Sequence, residues 1–118
     1  MQYKVTVTHM AFEDEPKVVA DVDIPDYMLP NMSRSDRKFD PFEPYKMLSY
    51  AFKMTNHIDS DWTKNDGITM LTPGSARSTS VGDKMRLWMR KGGKGVDNVW
   101  ETYGTYHVAI SGFDYVRG

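Results

Sequence analysis

The sequence predicts a single α+β domain with a mainly antiparallel sheet, or partial barrel, of about six strands and one principal helix. Short segments of alternating polar and apolar residues recur along the chain, separated by turns rich in Gly, Pro and Asn. One central segment instead carries apolar residues at helical spacing. At 118 residues the chain is long enough for one core, so residues 1–118 are expected to form one domain.

The N-terminal region predicts a β-hairpin followed by an irregular loop. Tyr3, Val5 and Val7 alternate with polar residues, and an apolar pattern resumes over residues 17–24 after an acidic turn. Residues 25–44 contain four prolines, which are incompatible with a continuous helix or a central strand. This segment is therefore expected to be either a plain surface loop or a contact surface.

The principal helix is predicted over residues 44–56. Pro44 suits the first turn of a helix, and Asn56 suits the left-handed residue that follows the last turn. The apolar stripe between them predicts core packing rather than a cofactor site. Its core-facing residues are Met47, Leu48, Ala51 and Phe52.

The second half of the chain predicts the remaining strands. Gly82 precedes one of them at a tight turn, so it is expected to have a positive φ or a close backbone neighbour. Residues 98–110 fit either two strands or one long strand bent at Gly104. Residues 91–95 predict a hairpin loop, because they lack the order of a phosphate-binding loop. The other predicted strands are residues 68–71, 84–90 and 113–116.

Composition and charge restrict the classes of function. Hydrophobic residues make up 40% and charged residues 26% of the chain, as in ordinary globular proteins. The net charge of −1 provides no strong overall attraction to nucleic acids or anionic membranes. The absence of cysteine excludes disulfides and thiolate chemistry, and favours the cytoplasm. No membrane-spanning run, signal peptide or cofactor motif is found, so no membrane partner and no cofactor are expected.

The densest polar stretch lies between a Pro-Gly turn and a predicted strand, and we call it the 77–83 motif: Arg77-Ser78-Thr79-Ser80-Val81-Gly82-Asp83. A guanidinium is costly to bury unless a carboxylate or carbonyls accept its hydrogen bonds. Arg77 and Asp83 are therefore expected to share one hydrogen-bonded cluster. A serine of the motif, Ser78 or Ser80, is expected to complete it. The alternative is that the motif is a surface presented to a partner.

The strand over residues 84–90 predicts a basic and aromatic face. Alternation places the apolar residues Met85, Leu87 and Met89 on one side and the polar set on the other. Cations can neutralise phosphates while an exposed indole stacks on a base, so this face is a candidate for nucleic-acid binding. The competing interpretation is a solvated sheet face. The candidate residues are Lys84, Arg86, Trp88 and Arg90, with Trp100 and Tyr103 expected to extend the surface.

A metal site is weakly indicated. His57, Asp59 and Asp61 are close in sequence, but their spacing matches no known set of metal ligands. A histidine next to a helix end is more simply explained by the helix dipole. The sequence therefore predicts no metal.

The serines of the 77–83 motif also allow a catalytic interpretation. His107 and Asp83 would complete a Ser-His-Asp triad with Ser78 or with Ser80. No nucleophile-elbow pattern supports such a triad. His107 lies on a predicted strand, as does His9, and both are expected to be structural. The prediction is that the protein is not an enzyme.

Three strings, taken together, carry a resemblance: Ala51-Phe52 with Thr55-Asn56-His57-Ile58-Asp59-Ser60 and Trp62, then the 77–83 motif, then Gly112-Phe113. Over roughly residues 45–116 they resemble a family of short, uncharacterised proteins of bacteriophages and other mobile elements, with an Arg-Ser-x-Ser-Val-Gly-Asp turn. The resemblance implies an origin, a small accessory protein of phage infection, and supplies no catalytic residues. Residues 25–44 and the glycine-rich hairpin depart from the family pattern.

Size, the lack of a cofactor motif and this resemblance lead to a first hypothesis. The protein is expected to bind a host or phage protein in the host cytoplasm, in host takeover or in blocking a defence system. Nucleic-acid binding by the face of residues 84–90 is the alternative. An enzyme of unknown class is the second alternative.

Overall fold

The computed structural model describes residues 2–10, 14–25, 43–56, 62–64, 66–72, 77–90, 99–110 and 112–117. Its strands are β1 (Gln2–His9), β2 (Lys17–Asp23), β3 (Ile68–Met70), β4 (Lys84–Arg90), β5 (Glu101–Val108) and β6 (Phe113–Arg117). One helix, α1 (Glu43–Thr55), and a 3₁₀ turn (Trp62–Lys64) accompany them. The six strands form one sheet in the order β3-β2-β1-β4-β5-β6, and every neighbouring pair is antiparallel. The predicted α+β class is confirmed.

The predicted N-terminal hairpin is confirmed. Val5 pairs with Val22 across β1 and β2, and the pairing shifts by one residue beyond Val7. This β-bulge leaves Val19 as an extra residue, so Val19 turns into the core while its neighbour Val18 is 47% exposed.

The helix α1 covers the face of the sheet formed by alternate residues of β1 and β4. Met47, Leu48 and Ala51 are buried against this face, as the apolar stripe predicts. Phe52 is only partly buried, and its ring meets the Phe113 ring edge-on with the centroids 6.5 Å apart. The helix begins at Glu43 and ends at Thr55, within one residue of the predicted limits.

The strand β5 is one continuous strand with a bulge, which settles the two alternatives predicted for residues 98–110. Leu87 pairs with Gly104 and Trp88 with Thr102, so Tyr103 is the extra residue. The bulge turns Tyr103 to the helix side, where its ring lies 6.4 Å from the Tyr3 ring. The expectation that Tyr103 extends the basic face is therefore wrong.

Several sequence-based predictions fall on other parts of the chain. Residues 26–42 of the predicted loop, the hairpin of residues 91–95, and the set His57, Asp59 and Asp61 lie outside the described residues. Among the helices of the described ranges, none has the length and apolar character needed to cross a membrane.

Candidate functional site

The 77–83 motif folds around a buried carboxylate. Arg77 donates from Nη1 to Asp83 Oδ2 and from Nη2 to Asp83 Oδ1, at 2.8 Å in both cases. The backbone N–H groups of Ser80 and Met10 also donate to Oδ2 and Oδ1, each at 2.8 Å. The Asp83 side chain is 0% exposed and that of Arg77 is 27% exposed. The predicted cluster is confirmed, and Ser78 completes it by accepting from Arg77 Nη1 through its carbonyl oxygen.

The turn that ends the motif depends on Gly82. The Asp83 N–H donates to the Ser80 carbonyl at 3.1 Å, and Gly82 has a φ of 97°, as is typical of the third residue of a type II turn. The positive φ expected of Gly82 is confirmed. The Gly82 N–H donates to Val108 O and the Val108 N–H donates to Asp83 O, both at 2.8 Å. The turn is therefore continuous with the pairing of β4 and β5.

Sequence reasoning did not place His9 in this cluster. His9 is 2% exposed, and its Nε2 lies 3.3 Å from Thr79 Oγ1 and 4.0 Å from Asp83 Oδ2. The Thr79 N–H donates to Thr55 O at the end of α1, at 2.9 Å. Trp62 donates from Nε1 to the carbonyl of Arg77, at 3.1 Å. The motif therefore joins the ends of β1, α1, the 3₁₀ turn and β4, which is a structural role.

This arrangement is unsuited to nucleophilic catalysis. In a catalytic triad the two ring nitrogens of histidine serve different partners, whereas His9 Nε2 faces both Thr79 and Asp83. Thr79 is also 0% exposed, so a substrate cannot reach its hydroxyl. The triad considered with His107 is not assembled, because the Asp83 carboxylate is held by Arg77 and backbone amides. Within the described ranges, no three metal-ligating side chains come together.

The face of the sheet opposite α1 carries the second candidate site. Trp88 lies between Arg86 and Arg90 on this side of β4, and donates from Nε1 to Thr6 Oγ1 at 2.8 Å. Arg90 donates from Nε to Gln2 Oε1, also at 2.8 Å. These bonds to β1 hold the aromatic and cationic side chains flat across two strands. Lys84 shares this side of β4, opposite Thr8 and His107.

Cations and indoles alternate across this face, and we call the set the ladder face: Arg86, Trp88, Lys4, Trp100 and Arg90. Arg86 Cζ lies 5.3 Å from the Trp88 ring centroid, and Lys4 Nζ lies 5.9 Å from it. Lys4 Nζ is also 4.6 Å from the Trp100 centroid, and Arg90 Cζ is 4.5 Å from it. All four distances are within the range of cation–π attraction. Trp100 joins this surface, as predicted.

Charge on the ladder face is unbalanced. Lys4 pairs with Asp21 at 3.3 Å. Neither Arg86 nor Arg90 has an ion pair with a carboxylate of the described residues, and the buried Nε of Arg86 has no hydrogen-bond partner. Lys4 was missed by sequence reasoning because only the pairing of β1 with β4 brings it beside Trp88.

Comparison with known proteins adds no relative. A scan against protein-family models finds no match, and searches of curated proteins and of solved structures find none either. The resemblance to bacteriophage proteins therefore stays a prediction. Functional assignment rests on the geometry of the sites themselves.

Proposed function

We propose that the protein is a non-enzymatic binding protein whose ladder face takes single-stranded nucleic acid. The observation that carries this proposal is the alternation of three cations with two indoles on one side of the sheet. Proteins that bind single strands combine cations that follow the phosphates with aromatic rings on which bases stack.

The ladder favours a single strand over a duplex. Stacking on Trp88 or Trp100 requires a base face that is free of its neighbours, which a duplex does not offer. The guanidinium planes of Arg86 and Arg90 offer further stacking surfaces and donors for phosphate oxygens. The chain has a net charge of −1, so the attraction comes from the local concentration of cations.

A solvated sheet face is the competing interpretation, and the contacts of the cations argue against it. Lysine and arginine side chains on an ordinary surface extend separately into water. Here Arg86, Lys4 and Arg90 each lie over an indole, and Arg90 is also held by Gln2. A surface ordered in this way loses less conformational entropy when it binds a ligand.

The test is fluorescence anisotropy with labelled single-stranded and duplex oligonucleotides over a series of salt concentrations. The double variant R86Q/R90Q removes two cations from the ladder face. The matched control K46Q/K53Q removes two cations from exposed positions of α1 on the other side of the sheet, with the same change in net charge.

We expect R86Q/R90Q to weaken single-strand binding and K46Q/K53Q to leave it unchanged. Each phosphate contact adds about 0.7 to the slope of log K against log salt for single strands, so R86Q/R90Q should lower that slope by about 1.4. Trp100→Leu should weaken binding by about 1–3 kcal/mol, the value of one stacked base. Equal losses in both double variants, or no saturable binding by the wild type, would contradict the proposal.

A protein partner is a second candidate, and a different surface favours it. The strand β6 is an edge of the sheet, with Tyr115 59% and Val116 47% exposed, and the nearby Ile110 is 94% exposed. An exposed edge strand can pair with a strand from another protein. This edge would serve the hypothesis of a phage accessory protein that binds a host or phage protein in the cytoplasm.

The protein-partner candidate is tested by affinity capture from host lysate with wild type, Val116→Lys and R86Q/R90Q. A charge on an edge strand discourages strand pairing. We expect a specific partner to be lost with Val116→Lys and kept with R86Q/R90Q. Equal capture by wild type and Val116→Lys would exclude the β6 edge as the binding surface.

A further inference from the structure

A pocket lined by tyrosines lies on the helix side of the sheet, opposite the ladder face. It has a volume of about 570 Å³ between the start of α1 and the strands β4, β5 and β6, and its walls include Pro44, Tyr45, Met89, Tyr103, Tyr106 and Tyr115. This volume lies in the range of small-molecule sites. We call it the tyrosine pocket.

Tyr106 forms the central wall of the tyrosine pocket. The Tyr45 ring meets the Tyr106 ring at 65° with centroids 6.3 Å apart, and the Tyr115 ring meets it at 66° and 5.5 Å. Rings set steeply to one another enclose a space that parallel stacking would close. Tyr106 is 5% exposed, whereas Tyr115 is 59% exposed and stands on the solvent side.

Two features of β5 build this wall. A Cβ on Gly104 would lie 2.9 Å from the Tyr106 hydroxyl and 3.0 Å from its Cε1, so only glycine leaves room for the ring in this position. The bulge turns Tyr103 to the same side of the sheet. Without these features the strand would present one tyrosine fewer to the pocket.

The electrostatics of the tyrosine pocket suit a poorly hydrated cation. Among the described lining residues none is basic, and the faces of phenol rings attract cations. Burial raises the pKa of Tyr106, with further contributions from Tyr45 and Tyr115, so the phenol stays neutral. Glu101, which is exposed, pairs with Met89 and so lies on this side of the sheet, where its carboxylate adds to the attraction.

We propose that the tyrosine pocket binds the trimethylammonium group of a choline-type small molecule. A primary ammonium would have to give up strong hydrogen bonds to water, which ring faces do not replace. A trimethylammonium group has no N–H donors, and its methyl groups pack against the rings. This site is independent of the ladder face, since the two lie on opposite sides of the sheet.

The test is a titration followed by NMR of protein labelled with ¹³C at the methionine methyl groups. The Met89 signal is assigned by its loss in Met89→Leu, and the other methionine signals report whether each variant is folded. The ligands are choline, its neutral carbon isostere with a tert-butyl group, trimethyl-lysine and unmodified lysine.

We expect choline to shift the Met89 signal in a saturable way, with a dissociation constant on the order of 1 mM. The neutral isostere and unmodified lysine should bind at least about tenfold more weakly, since one lacks the charge and the other the methyl groups. Trimethyl-lysine binding as tightly as choline would place the same group on a modified protein, which overturns the small-molecule assignment. Equal binding of choline and its isostere, or no shift with choline, would overturn the cation site.

Two variants of the exposed ring isolate the π contribution. Tyr115→Phe keeps the aromatic face and should retain choline binding. Tyr115→Leu removes the face and should weaken binding about tenfold, the effect of one cation–π contact. Tyr50→Leu removes a tyrosine outside the described lining of the pocket and should bind as wild type does. Retention of binding by Tyr115→Leu would contradict the cage.

Discussion

The substitution Asp83→Asn tests whether the 77–83 motif stabilises the fold. An asparagine side chain has the same shape, but it carries no charge and one of its carboxylate oxygens becomes an NH₂ group. If that group takes the Oδ2 position, it faces two donors, Arg77 Nη1 and the Ser80 N–H. If it takes the Oδ1 position, it faces Arg77 Nη2 and the Met10 N–H. Either orientation therefore loses two hydrogen bonds along with the ion pair.

The expected loss is large for a domain of this size. Breaking a buried ion pair costs about 3–5 kcal/mol. Arg77 is 27% exposed and can regain water, so we expect a value near the lower limit, about 3 kcal/mol. At about 4 °C per kcal/mol, the melting temperature should fall by about 12 °C.

The assay is urea unfolding followed by the fluorescence of Trp62, which is 1% exposed and bonded to the motif. Asp114→Asn, on an exposed position of β6, is the matched control and should change stability by less than about 0.5 kcal/mol. If Asp83→Asn unfolds at the same urea concentration as Asp114→Asn, the motif does not stabilise the fold. The interpretation of the motif as a contact surface would then regain its place.

Three further predictions concern the core, the turn and the pocket. Leu48→Ala should cost about 2–5 kcal/mol, because Leu48 is 0% exposed, and Phe52→Ala should cost less than a fully buried phenylalanine would; equal urea midpoints for wild type and Leu48→Ala would refute the packing. Gly82→Val should cost at least about 1–2 kcal/mol in the same assay, and Gly82→Asn less, because asparagine tolerates a positive φ. Burial raises the pKa of Tyr106 above its ordinary value of 10.0, so the folded state holds the proton more tightly and this stabilisation is lost as pH rises past that value. Urea midpoints of wild type should therefore fall more steeply above about pH 10 than those of Tyr106→Phe, and parallel curves would refute the shift.

Local sequence patterns predicted most of the fold. Alternation located β1, β2 and β4, and helical spacing located α1, because each pattern depends only on residues near in sequence. The bulge at Tyr103 was not predictable in the same way, since a bulge depends on how β5 aligns with β4. One extra residue was enough to move Tyr103 from one side of the sheet to the other.

The candidate sites were less predictable than the fold, for the same reason. The cluster of Arg77 and Asp83 could be expected, since a buried guanidinium needs acceptors only six residues away. The contact of His9 with Thr79 spans 70 residues, and the bond between Trp88 and Thr6 spans 82. Such contacts depend on the strand order of the whole sheet, which no local pattern contains.

The pairing register of β4 determines both proposed sites. A slip of one residue would exchange the two sides of the strand, placing Met89 on the ladder face and Arg90 in the tyrosine pocket. The 77–83 motif acts against such a slip at the start of the strand. The Asp83 carboxylate accepts from Met10 next to β1, and the Asp83 carbonyl accepts from Val108 in β5. The polar density of the motif therefore aligns β4 with both of its neighbours, which explains why residues outside the two proposed binding sites can be essential to each of them.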